Sequence, residues 1–162
     1  EEVQRVDFEI GSPYYKNNTV LKQHIFKYLN KSLDSTNSAR ISFSLLILRV
    51  ASGAMMLTHG YPKFQRLIAG NLKFGDQLGI GSELSFVLVV FGEFACSILL
   101  ILGLFSRFAT IPLAFTMFVA FSMAHADDPF GTQEKPLLYF VVFIVLLIAG
   151  PGSYSLDKKL YK

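Results

Sequence analysis

The segment from Ile41 to Lys63, ISFSLLILRVASGAMMLTHGYPK, restricts the chain more than any other. It is long and apolar enough to cross a bilayer, yet it holds an arginine near its middle and a histidine near its end. A charge in hydrocarbon is costly, so Arg49 requires a partner or a polar cavity beside it. Counted from Ile41 at one helical rise per residue, Arg49 lies roughly 12 Å in, near the centre of a core about 30 Å thick. The only other charge inside an apolar run is Glu93, within the stretch Leu84 to Phe105. Two adjacent antiparallel helices would bring these charges to similar depth, and the simplest arrangement is a buried Arg49–Glu93 pair.

Composition agrees with a membrane-spanning chain. At 52% hydrophobic and 17% charged residues, with a mean hydropathy of +0.44, the chain is more apolar than an ordinary soluble domain. Its net charge of +3 does not point to nucleic acid, because the basic residues flank the apolar runs. The single cysteine, Cys96, excludes an intramolecular disulfide and a CxxC redox pair, and reads as a small packing residue.

The pattern predicts an all-α, integral membrane four-helix bundle with an N-terminal amphipathic interfacial helix. Residues 1–20 have neither an initiating Met nor the layout of a signal peptide, and read as a polar tail that orders against a partner. From 21 to 33 the apolar positions recur at helical spacing with Lys22, Lys27 and Lys31 between them, as in a basic helix at a membrane surface. These segments form a first region, 1–39. The second, 40–162, holds spanning helices over about 40–60, 83–105, 107–125 and 132–150. Gly60 and Pro62 are expected to end the first of them, and 63–69 to form a short interfacial or re-entrant helix followed by a glycine-rich loop. Pro112 predicts a kink or late start in the third helix, and Thr132 is the candidate N-cap of the fourth. Counting basic residues near the membrane, Lys27, Lys31, Arg40, Arg107, Lys158, Lys159 and Lys162 on one side outnumber Lys63, Arg66, Lys73 and Lys135 on the other. The positive-inside rule then puts both termini in the cytoplasm.

His59 and His125 end two helices that run in the same direction, and so share one membrane level. Three readings stand for them: interfacial histidines bonded to loop backbone, a shared polar pocket for a small redox ligand, or axial ligands of a haem. Lys63, about one turn beyond His59, could anchor an anionic or carbonyl group in such a pocket. Tyr139, near the start of the fourth helix on the histidine side, is a weaker ligand candidate and otherwise an interfacial anchor. The Arg49–Glu93 pair could be a functional site or a device that sets helix register. No nucleophile triad, P-loop, metal-cysteine cluster or dinucleotide fingerprint is present in the sequence, so no catalytic residue is assigned and no metal is expected.

Taken together, several motifs resemble the DoxX family of small bacterial membrane proteins. They are L-L-x-L-R-V-A-S-G-A-M-M-L-T-H-G-Y-P-K-F from Leu45 to Phe64, G-E-F from Gly92 to Phe94 and L-G-L-F-S-R-F-A-T from Leu102 to Thr110, then His125, and G-P-G-S-Y-S-L-D from Gly150 to Asp157. The resemblance covers residues 40 to 160 and leaves 1–35 outside. It implies a four-helix protein of the bacterial inner membrane associated with redox systems, in a family whose relatives include thiosulfate:quinone oxidoreductase subunits. The family's recurring arginine, His-Gly, lysine and mid-helix glutamate correspond to Arg49, His59, Gly60, Lys63 and Glu93. The implied function is a membrane-embedded redox subunit that binds a quinone-like molecule or docks an oxidoreductase. Its partners would be the lipid bilayer and other membrane or periplasmic redox subunits. The alternatives are a non-catalytic assembly subunit and a small-molecule carrier.

Overall fold

The structure, a computed structural model, describes the backbone of residues 13–160 and the side chains from 38 onward. The chain divides into two compact units, 1–40 and 41–162. Helix α1 runs over Pro13–Ile68, α2 over Ser82–Leu102, α3 over Ser106–Ala124, α4 over Phe130–Ala149, and a short α5 over Leu156–Leu160. Among the described residues there is no strand. Among the described residues four stretches are long and apolar enough to cross a membrane: Ser38–Ile68 of α1, and the whole of α2, α3 and α4. The amphipathic segment expected at 21–33 falls within α1, but its side chains, like most of the polar tail, lie outside the described residues.

Leu100, Leu113 and Phe143 are fully enclosed in the second unit, while Phe108 and Ile148 are almost three-quarters exposed. Exposed apolar side chains on all four helices suit a chain whose outer face meets hydrocarbon, since lipid tails do not drive such residues inward. Internal contact then depends on close packing. Gly53 lies against Ile101 and the Ser97 carbonyl, Gly60 against the backbone of Glu93, and Gly92 against Thr116.

The first spanning helix does not end at Gly60 and Pro62. Pro62 lies inside α1, which continues to Ile68, so no separate helix forms over 63–69. A proline inside a helix forfeits one backbone hydrogen bond and costs about 3 kcal/mol. Contacts beyond it offset that cost: the Phe64 ring stacks on Phe94 at 4.2 Å, and Lys63 pairs with Glu93. The other boundaries shift by a few residues. Helix α2 stops at Leu102 because Gly103 turns left-handed (φ 71°), the usual helix-ending conformation. Helix α3 starts at Ser106 and carries Pro112 in its interior, and α4 starts at Phe130, so Thr132 is in its first turn and does not cap it.

Two helices contain π-helical turns, Phe91–Cys96 in α2 and Ala120–Ala124 at the end of α3. Such turns often mark functional sites. At the opposite end of the bundle the residues after α4 fold back over the α2–α3 hairpin. The Asp157 carboxylate accepts hydrogen bonds from Phe105 N (2.7 Å) and Ser106 N (2.9 Å), and Asp157 N donates to the Gly103 carbonyl (2.8 Å). That clasp holds Phe105 at φ 47°, a strained value for a bulky residue.

Candidate functional site

Glu93 is the starting point. It sits in the first π turn and is almost wholly buried, and eleven residues of α2 precede it, so it lies roughly 16 Å below Ser82 and near the middle of that helix. A carboxylate there needs a counter-charge. Gly60 is what admits one: a methyl group at that position would collide with the Glu93 carbonyl and the Phe94 amide, so the backbone of α1 rests directly on the π turn. Lys63, almost one turn further along α1, then reaches back and forms a salt bridge and hydrogen bond with Glu93 Oε2. Long lysines in membranes usually extend toward water; this one is turned inward.

The pair borders a cavity of about 800 Å³ to which all four spanning helices and the 69–81 loop contribute. His59, Lys63, Glu93, His125 and Tyr139 all line it. His59 stands edge-on to the Tyr139 ring (6.3 Å, 84°), and Tyr139 stacks on Phe143 at 5.9 Å. His125 Nδ1 is 2.6 Å from Asp128 Oδ2, an arrangement that fixes the ring and directs its second nitrogen elsewhere. The loop over this end is tied to α2. Asp76 accepts from the Ile80 and Gly81 amides and the Ser85 hydroxyl, and Ser82 Oγ bonds both the amide and the carbonyl of Phe74.

The predicted Arg49–Glu93 pair does not form. Arg49 belongs to the hairpin end, where its Nη2 donates to the Tyr154 carbonyl (2.8 Å) and its guanidinium lies against Gly103, in space any side chain there would fill. Among the described residues no carboxylate forms a salt bridge with it, and its Nε and Nη1 are buried without a hydrogen-bond partner. Glu93 is level with Gly60, eleven residues beyond Arg49, so the two charges are roughly 16 Å apart along α1. The helices pack at a different register from the expected one: Gly60, not Arg49, lies against Glu93, and Arg49 lies against Gly103 at the α2–α3 turn.

The cavity also includes Lys135, which reads in the sequence as a flanking charge. It precedes Tyr139 by one helical turn, and that spacing was a usable sign that both share a face. Phe74 and Leu78, from the loop, and the π turns had no comparable signature.

These features define a class: a helical membrane protein with four candidate spans among the described residues, a buried mid-helix glutamate paired with a partly exposed lysine, and a largely apolar cavity that the pair borders. The chain belongs to the DoxX family, whose model matches residues 44–126. It is similar to an uncharacterized protein of Haemophilus influenzae, 32% identical over 74% of this chain and 92% of the relative. A Bacillus subtilis relative named "Putative oxidoreductase CatD" is 29% identical over 72% of this chain and 87% of its own length. The inner membrane protein YphA of Escherichia coli is 30% identical, over 71% and 89%. No solved structure matches the chain.

Proposed function

We propose that the chain is a membrane-embedded subunit of a bacterial redox system and binds a quinone-like ring in the cavity beside Lys63 and Glu93. The supporting observation is the convergence of His59, Lys63, Glu93, His125 and Tyr139 on one otherwise largely apolar space. Its volume, about 800 Å³, falls in the range of roughly 300–1,000 Å³ usual for small-molecule sites, which are apolar with a few placed polar groups. A quinone has the matching chemistry: an apolar ring with carbonyl oxygens on opposite sides. The Lys63 ammonium can donate to one carbonyl and stabilise negative charge that develops there on reduction, while His59, Tyr139 or His125 can serve the other. Glu93 holds Lys63 in place and accepts a proton when the ring is oxidised. A partner oxidoreductase would exchange the electrons. The name of the Bacillus subtilis relative is consistent with that role.

On this reading the protein lies in the inner membrane with both termini on the cytoplasmic side. Lys63 is engaged by Glu93, so the basic residues facing water on the far side reduce to Arg66, Lys73 and Lys135, and the charge asymmetry that sets orientation grows. The test is organic extraction of the purified protein followed by mass spectrometry. Wild type should carry a lipid-soluble quinone and Glu93→Gln should lose it while keeping its helix content. An extract without quinone, from protein that also fails to bind added decyl-benzoquinone, would refute the proposal.

A further inference from the structure

We infer that the cavity receives its ligand from the bilayer, through a cleft between α2 and α3, and that the ligand is an amphiphile whose single hydrocarbon chain remains in that cleft. This rests on the quinone reading and narrows it to quinones with a long tail.

The cavity walls differ in chemistry. Helices α1 and α4 supply His59, Lys63, Lys135 and Tyr139, against Ser85 and Glu93 from α2 and Thr116 from α3, so the polar head of a ligand belongs toward α1 and α4, beside Glu93. Helices α2 and α3 supply Leu88, Phe91, Ile111 and Phe115, and these four line the cavity while exposing 47, 51, 52 and 53% of their surfaces. A residue that borders an internal space and is also half exposed to the outside sits at an opening. Here the opening is on the flank of two spanning helices, so it faces acyl chains.

The helices cross tightly at one point and are open beyond it. Gly92 packs on Thr116 Oγ1 and the Pro112 carbonyl, so closely that a methyl at 92 would stand 2.8 Å from the hydroxyl. On the loop side of that crossing, Leu88 and Val89 of α2 and Val119 and Ala120 of α3 all border the cavity. On its loop side the space beside the crossing is thus a slot with apolar sides, while Phe115 borders the cavity level with the crossing and Ile111 just on its hairpin side. Water has no hydrogen-bond partner along these side chains, whereas a hydrocarbon chain replaces lipid contacts by equivalent ones. A tailed ligand entering there presents its ring to Lys63 and Glu93 without leaving hydrocarbon.

The chain contains no tryptophan, which permits a direct test. Phe115→Trp places a sole fluorophore in the cleft, and Phe108→Trp places one on the outer face, away from the cavity. In vesicles containing brominated phosphatidylcholine both should be quenched. Decyl-benzoquinone should then quench Phe115→Trp saturably, and Phe108→Trp only in proportion to its concentration in the membrane. Decyl-benzoquinone should bind the wild type at least tenfold more tightly than the same ring without a tail, after correction for partitioning. Filling the cleft with Leu88→Trp and Val119→Trp together should bring the two affinities within about twofold, with the tail-less ring still bound. Equal affinities in wild type, or a preference unaffected by filling, would overturn the portal and leave the quinone site standing. So would tail-less ring binding with no saturable quenching at Phe115→Trp, because the cleft would then hold a bilayer lipid only. Failure of both probes to bind would overturn the quinone reading, and the portal with it.

Discussion

Breaking the Lys63–Glu93 pair from its two sides should have unequal consequences. The Glu93 side chain is 6% exposed and that of Lys63 is 26% exposed. Lys63→Met leaves a carboxylate with no counter-charge in a mid-helix position, and stripping one partner from a buried ion pair typically costs about 3–5 kcal/mol. Because the cavity gives partial relief, we expect a loss near the lower limit, about 3 kcal/mol. Glu93→Gln leaves a lysine that already meets open space and can still bond the Gln carbonyl, so its loss should resemble that of a partly exposed pair, about 1 kcal/mol. The double variant should regain about 2 kcal/mol relative to the sum of the single losses, because neutral groups replace both charges and neither is stranded. The assay is reversible unfolding of the purified protein in mixed micelles, followed by helix circular dichroism, for all four members of the cycle. Equal losses from the two single variants, or strict additivity in the double, would refute the assignment of Lys63 as the partner that makes Glu93 tolerable.

Other sites offer simpler tests. Gly60→Ala should destabilise by roughly 1–3 kcal/mol, as overpacking does, because its methyl would meet the π-turn backbone, whereas Gly131→Ala, with nothing within 4 Å, should be neutral or slightly stabilising. The same unfolding assay separates them. Asp157→Ala should lower stability by about 1–2 kcal/mol, since it removes the acceptor for two amides at the start of α3, and Asp157→Asn should recover part of the loss. Gly103→Ala should impair folding more than either, because a side chain there needs both a left-handed backbone and the space held by the Arg49 guanidinium; the monodisperse yield after purification measures it.

The number of spans and the residues of interest could be read from the chain without its structure, because both follow from the cost of placing polar groups in hydrocarbon. Apolar runs of sufficient length identify spanning helices whatever their neighbours do, and an ionisable residue within a run marks a place that must be satisfied. On that basis Arg49 and Glu93 were candidates, and His59, Lys63, His125 and Tyr139 followed from their places near helix ends; all of them but Arg49 line one cavity. Which charge meets which was not legible. Pairing depends on the register at which α1 and α2 pack, and that register is set by the contacts of Gly60, Lys63 and Phe64 with Glu93 and Phe94. Those contacts are between residues about 30 positions apart. The close seat of Gly60 on a π turn, the inward reach of Lys63 and the transfer of Arg49 to the Tyr154 carbonyl are likewise settled only when helices pack, since a periodic pattern records which face is apolar and nothing about which neighbour it will touch.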